Sequence, residues 1–183
     1  TKITADNFSA FRSANWPLLA EAGISIRYNT TVIRYPDNWD APPVFHNKLD
    51  TRVSILKIHP GITPSVVREI LCGTQTRAVI IETYGAGNAP SKEWFLSMIR
   101  EAAAMDKILL NVTQCPSGTV NMNIYATGKC LQKAGVVNGC DSTTESALAK
   151  LFVLLGEYDG GTEEDRRSIE RELSRNLKGE ITC

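Results

Sequence analysis

The 183-residue chain contains no apolar run near the ~20 residues that a membrane-spanning helix needs, so no segment is expected to cross a bilayer. Its opening residues, TKITADNF, are polar and do not read as a secretory signal. An excess of one charge is lacking as well. Twenty Lys and Arg balance twenty Asp and Glu, and no basic run stands out, which argues against nucleic acid as a partner. Histidine is scarce, with only His46 and His59, and none of the five cysteines (Cys72, Cys115, Cys130, Cys140, Cys183) forms a C-x-x-C pair. A metal site and a disulfide framework are therefore not expected, and reduced thiols in a cytoplasmic setting are the simplest reading. Internal repeats and low-complexity segments are absent too.

Apolar residues make up 43% of the chain and charged residues 22%, enough for a packed core. The length suits one domain with an arm. The regular text is organised around residues 78–90, AVIIETYGAGNAP. Ala78, Val79, Ile80 and Ile81 form a short apolar run of the kind found in strands buried on both faces, although periodicity alone does not separate such a strand from a buried helix segment. Gly85, Ala86, Gly87 and Asn88 then bend the chain. Residues 91–106 come next, with apolar side chains at helical spacing (Phe95, Met98, Ile99, Ala102). Strand, glycine turn and helix make up the unit of an open parallel sheet, which places the first candidate site in the turn Glu82–Asn88.

Residues 1–43 read as an irregular arm and 44–183 as the α/β domain. In the arm, residues 5–11 and 17–22 suggest short helices, the second closed by Gly23. Ile24, Ile26 and Tyr28, then Thr31 to Ile33, suggest a hairpin across Asn29 and Thr30. In the domain, strands are expected at 53–58, 77–83, 108–112 and 136–137. Helices are expected from Pro64 with Thr63 as cap, over 91–106 and 125–134, from Asp141 or Ser142 as cap, and from Thr162 to about Leu177. Alternating elements with short links imply an open parallel sheet of about four strands with helices on both faces.

Read from residues alone, the chemistry is sparse. G-A-G-N-A-P lacks the third glycine of a dinucleotide fingerprint, and no acidic residue ends a following strand about twenty positions on, so no nicotinamide cofactor is expected. A tight turn that needs glycine for its geometry is the simpler reading. Cys115 would need a histidine partner to act as a nucleophile, and a small residue buried at a strand end is simpler. Gly160-Gly161-Thr162 comes after a polar turn and reads as a loop and cap rather than a catalytic threonine.

Three stretches together do carry a resemblance: YGAGNAP at 84–90, NVTQCPSGTVNMNIYATG at 111–128 and GVVNGCDSTTESALAKL at 135–151. They resemble the C-terminal domain of cytoplasmic, type I L-asparaginases, a Rossmann- or flavodoxin-like α/β fold. Residues 1–23 resemble the linker that precedes this domain. Archaeal tRNA-linked amidotransferase subunits and mammalian asparaginase/lysophospholipase proteins share the domain. The family's nucleophilic threonine lies in a T-G-G-T-I segment, and a second threonine and an aspartate lie in H-G-T-D-T. Neither segment occurs here, so the resemblance implies the second half of an amidohydrolase, joined in the whole protein to an N-terminal catalytic domain.

The resemblance also implies roles for individual residues. Thr1-Lys2 matches a T-K pair whose lysine helps deprotonate the second threonine, so Lys2 is the candidate catalytic residue; taken alone it would read as a solvated terminal lysine. Asn88 matches an asparagine that reaches a neighbouring subunit's active site and hydrogen-bonds substrate, which implies a homo-oligomer and L-asparagine as substrate. Alone, Asn88 would read as a residue tolerating positive φ or capping a helix. Some members bind a second, regulatory asparagine, at positions matching Glu82, Thr113 and Cys115. They carry an arginine where this chain has Glu82, and a glutamate repels a carboxylate that an arginine would clamp. That departure counts against allosteric activation. Neither metal nor cofactor is implied. From the residues alone, a non-catalytic dimerisation or ligand-binding module is the alternative.

Overall fold

A computed structural model describes residues 1–159 and 161–182. Gly160, part of the G-G-T stretch considered above, and Cys183 lie outside the described residues. The chain forms two compact units, Thr1–His46 and Asn47–Cys183.

The N-terminal unit departs from the expected helices. The Ile3 amide donates to the Ala10 carbonyl at 2.8 Å and the Arg12 amide to the Thr1 carbonyl at 2.9 Å, so residues 1–12 double back as an extended loop. Thr4 Oγ1 accepts the Asp6 amide at 3.1 Å; a short polar side chain here offers the backbone a turn instead of a helix. The hairpin exists, but one loop earlier than expected. Strand β1 (Ala20–Ala22) pairs antiparallel with β2 (Ile26–Tyr28) around Gly23, Ile24 and Ser25. Gly23, read as a helix stop, ends a strand, since glycine marks a turn without naming the element before it. Thr31 to Ile33 form a turn on the Asn29 carbonyl. Phe8, Ile24 and Trp39 are exposed in this unit.

The second unit is the expected α/β fold. Strands β3 (Val53–Lys57), β4 (Ala78–Thr83), β5 (Ile108–Thr113) and β6 (Val136–Asn138) form a parallel sheet in the order β3-β4-β5-β6. Successive strands are neighbours, so crossovers of one hand lay their helices on one face. Helices α1 (Pro64–Cys72), α2 (Glu93–Ala104) and α3 (Ala126–Lys133) do this. Helices α4 (Thr144–Glu157) and α5 (Glu163–Leu173) come after the last strand and cover the opposite face.

The strand residues divide by parity. Val79 and Ile81 pack with Phe95, Ile99 and Leu131 on the α1–α3 side, while Ala78 and Ile80 pack with Leu151, Leu154 and Ile169 on the other. Burial on both faces explains the unbroken apolar run in β4.

Three helix signals turn out differently. Pro64 opens α1 with Thr63 as the preceding residue, as expected, but the Thr63 side chain makes no cap bond. Thr143, not Asp141 or Ser142, caps α4 by accepting the Ser146 amide at 3.2 Å. The Asp141 carboxylate is engaged elsewhere, accepting from the Thr182 amide at 2.8 Å. Helix α5 stops at Leu173, four residues short of Leu177, and its Thr162 cap bonds the Asp165 amide at 3.1 Å. Cys140 is disulfide-bonded, against the expectation of free thiols throughout, while Cys72, Cys115 and Cys130 are free. Sequence spacing does not report which sulfurs the fold brings together.

Beyond α5 the chain is held by a buried ion pair. Lys150 Nζ lies 2.7 Å from Glu180 Oε1, with the two side chains 6% and 13% exposed. Burial alone would raise the Glu180 carboxyl, but Lys150 and the Leu177 and Lys178 amides overrule it and bring it from 4.5 down to about 2. A carboxyl depressed by folding contributes stability that is present above its unfolded value and lost as pH falls through the folded one. The urea midpoint should therefore drop as pH falls from 4.5 towards 2, and Glu180→Gln should flatten part of that drop. An unchanged pH profile in Glu180→Gln would contradict this assignment.

Candidate functional site

Strand β4 leads directly into a tight loop. Tyr84 and Asn88 pair as an isolated bridge, with the Tyr84 amide donating to the Asn88 carbonyl and the Asn88 amide to the Tyr84 carbonyl, both at 2.9 Å. Between them Gly85 (φ +50°) and Gly87 (φ +107°) take left-handed conformations that side chains resist. Space is a second constraint at Gly87, where a Cβ would meet Val120 Cγ1 at 2.8 Å and Asn111 Nδ2 at 3.4 Å. The Ala86 carbonyl accepts the Asn121 amide at 2.9 Å, tying the loop tip to the segment after β5.

Asn88 itself is exposed, with non-left-handed backbone; among the described residues only Asp106 and Cys140 are non-glycine residues with positive φ. Its side chain does not cap α2, which begins at Glu93 with Lys92 before it. Instead Thr127 Oγ1 donates to Asn88 Oδ1 at 2.7 Å. Below the loop, Asn111 is fully buried; its Oδ1 accepts the Thr83 hydroxyl at 2.7 Å, and its Nδ2 is the only buried side-chain polar atom without a partner among the described residues.

The other candidates stand at the carboxyl ends of the same strands. The Glu82 side chain is 11% exposed and fully matched: Thr144 Oγ1 donates to Oε1 at 2.6 Å and Lys57 Nζ lies 3.1 Å from Oε2. The carboxylate also meets the first residue of α4, where the helix dipole favours negative charge. Thr113 pairs in register with Thr83, and its hydroxyl accepts the Cys115 amide at 3.0 Å. Cys115 is exposed, not buried as its position suggested, because the chain leaves the sheet at Gln114. Gln114 Nε2 turns back to the Glu82 carbonyl at 2.8 Å. His59 is exposed and lies with Nδ1 3.0 Å from its neighbour's carbonyl, Pro60 O.

The fold thus gathers Glu82, Thr113, Cys115 and Asn88 at one end of the second unit. Lys2 belongs to the first unit, exposed and bridged through its backbone to Phe11. Strand order never reverses within the sheet, so this unit offers no switch-point crevice of the kind in which doubly wound sheets hold ligands. What the loop presents is an outward amide on a rigid turn.

Residues 52–168 match the family model described as the glutaminase/asparaginase C-terminal domain. The chain belongs to that family. This glutaminase/asparaginase C-terminal domain is 41% identical over 182 residues to L-asparaginase 1 of Escherichia coli K12, covering 100% of the chain and 52% of that protein. It is 37% identical to the 60 kDa lysophospholipase of Mus musculus, covering 100% of the chain and 31% of that protein. The fold is similar to the crystal structure of L-asparaginase I from Vibrio cholerae, with a TM-score of 0.86 and 36% identity over 100% of the chain and 53% of that structure. The chain therefore spans about half the length of the asparaginases it matches and a smaller part of the lysophospholipase. Among the described residues, no helix of this asparaginase-family domain is long and apolar enough to cross a membrane.

The sequence pattern did not single out Thr127 or Asn111. Both lie inside the 111–128 stretch that carried the resemblance, but alone they read as the first turn of a helix and a polar strand residue. Only their packing against the glycine turn sets them apart.

Proposed function

We propose that the whole protein to which this chain belongs hydrolyses L-asparagine to L-aspartate and ammonia, and that this half supplies substrate-site residues and subunit contacts. The observation that carries the reading is the glycine turn: a loop made rigid by two left-handed glycines presents an exposed asparagine amide, in a chain similar over its full length to L-asparaginase 1. An amide is suited to an amino-acid ligand because its NH₂ donates and its oxygen accepts. In this reading Asn88 enters the active site of a neighbouring subunit, so the protein works as a homo-oligomer, and its setting is cytoplasmic. A threonine of the N-terminal half attacks the side-chain carboxamide, ammonia leaves, and water releases aspartate from the acyl-enzyme. Lys2 assists by taking the proton of the second threonine. Lys2 is exposed in this chain, so burial fit for that task has to come from the preceding half.

The Glu82 end of the sheet does not suit a regulatory asparagine in this reading. Its carboxylate is already matched by Lys57 and Thr144, and a second carboxylate placed near Thr113 and Cys115 would meet like charge. Asparagine is not expected to activate the protein there, and its rate curve should be hyperbolic.

The test is ammonia release from asparagine, measured on the full-length protein and on residues 1–183 alone. Activity is expected in the first and none in the second, which lacks both threonine segments. Release by the isolated chain above a heat-killed control would sink the reading. The similarity to a 60 kDa lysophospholipase supports a second reading, acyl-ester hydrolysis, which fatty-acid release from lysophosphatidylcholine by the same full-length protein checks.

A further inference from the structure

We infer that Thr127 is a positioning residue that fixes Asn88 as a hydrogen-bond donor, so that the ligand group it meets is an acceptor, a carboxylate or carboxamide oxygen. The inference rests on the proposed role of Asn88. A threonine in the first turn of a helix ordinarily satisfies a local backbone group. Thr127 instead reaches across 39 positions of sequence, its Oγ1 2.7 Å from Asn88 Oδ1.

Both ends of that contact are held independently. The Asn88 backbone is tied to Tyr84 by two hydrogen bonds of 2.9 Å, which leaves only its side-chain torsions free. Helix α3 is set close against the preceding segment, where a Cβ on Gly128 would stand 2.5 Å from the Met122 carbonyl oxygen. The fully buried Leu131 anchors the same helix in the core. The hydroxyl therefore meets the amide from a fixed direction. Thr127 takes one of the two Oδ1 lone pairs and fixes the orientation of the amide, so both Nδ2 hydrogens are left to a ligand from a set direction. Ordering this side chain beforehand removes an entropy cost that a ligand would otherwise meet on binding.

The experiment uses the full-length protein and steady-state kinetics on asparagine. Thr127→Val, which keeps shape and loses the hydroxyl, should lower kcat/KM about two- to tenfold, the loss of one neutral hydrogen bond, chiefly through KM. Thr127→Ser should restore it. Combined with Asn88→Ala, Thr127→Val should add nothing, because it acts through Asn88. Asn88→Asp keeps an acceptor for Thr127 but loses the donor, and should fall as far as Asn88→Ala; this variant tests the inference even where Thr127→Val folds poorly.

Wild-type kinetics for Thr127→Val beside a crippled Asn88→Ala would overturn the inference and leave Asn88 in the site. Additive losses, or an unimpaired Asn88→Asp, would overturn it as well. Wild-type kinetics for Asn88→Ala would remove the reading underneath, and the inference with it.

Discussion

Replacing Asn88 by Ala in the full-length protein is expected to lower kcat/KM for asparagine roughly ten- to hundredfold while the fold survives. The magnitude is that of one hydrogen bond to a charged ligand, about 1.5–3 kcal/mol. The fold survives because the side chain is exposed and its tie to the rest of the unit is the hydrogen bond from Thr127. Asn88→Gly separates this account from a purely backbone role. Were Asn88 there to tolerate positive φ, glycine would restore activity; its backbone is not in that region, so glycine should be as impaired as alanine. Equal losses in the two variants with unchanged melting support the site. Normal kinetics in Asn88→Gly would contradict it.

The largest stability effect is expected far from this turn, at Lys150. Its side chain is 6% exposed, and the ammonium contacts three groups: Glu180 at 2.7 Å, the Leu173 carbonyl at 3.1 Å and the Arg175 carbonyl at 2.5 Å. It therefore binds α4 to the end of α5 and to the C-terminal segment. Lys150→Ala leaves a buried carboxylate without its cation and two carbonyls without a donor. Removing one member of a buried pair typically costs about 3–5 kcal/mol. Glu180→Gln should cost less, because the lysine keeps both carbonyls and glutamine still accepts a hydrogen bond. Urea unfolding monitored by circular dichroism reads both, and a loss below about 1 kcal/mol for Lys150→Ala would show that solvent reaches the pair.

How legible the molecule was from its sequence depended on the range of the interactions involved. In β4 the run Ala78 to Ile81 and in α1 the Thr63-Pro64 start depend on local pattern, and both elements are where the pattern puts them. The arm misled because residues 17–22 carry helix-compatible composition while the deciding contacts are pairings with Ile26 to Tyr28. Tertiary pairing overrode propensity there. The cap of α4 misled for a similar reason: Asp141 is a good cap residue, but Thr182 engages its carboxylate 41 positions away. The candidate site divides the same way. Gly85 and Gly87 announce the turn through their chemistry. Thr127 on Asn88, Lys57 and Thr144 on Glu82, and Asn111 under Gly87 depend on contacts between segments that no local pattern records. The disulfide at Cys140 belongs to that second group.

In the proposed assembly the Asn88 turn completes an active site whose nucleophile belongs to another subunit. Subunit mixing reads this out. Full-length Asn88→Ala is co-assembled with a variant in which the nucleophilic threonine of the N-terminal half is replaced by alanine, and ammonia release from asparagine is measured. Each mixed assembly then holds a site that combines an intact threonine with an intact Asn88. Activity well above the sum of the two parents measured separately is expected. Activity no greater than that sum, in samples shown by native mass spectrometry to contain mixed assemblies, would contradict it.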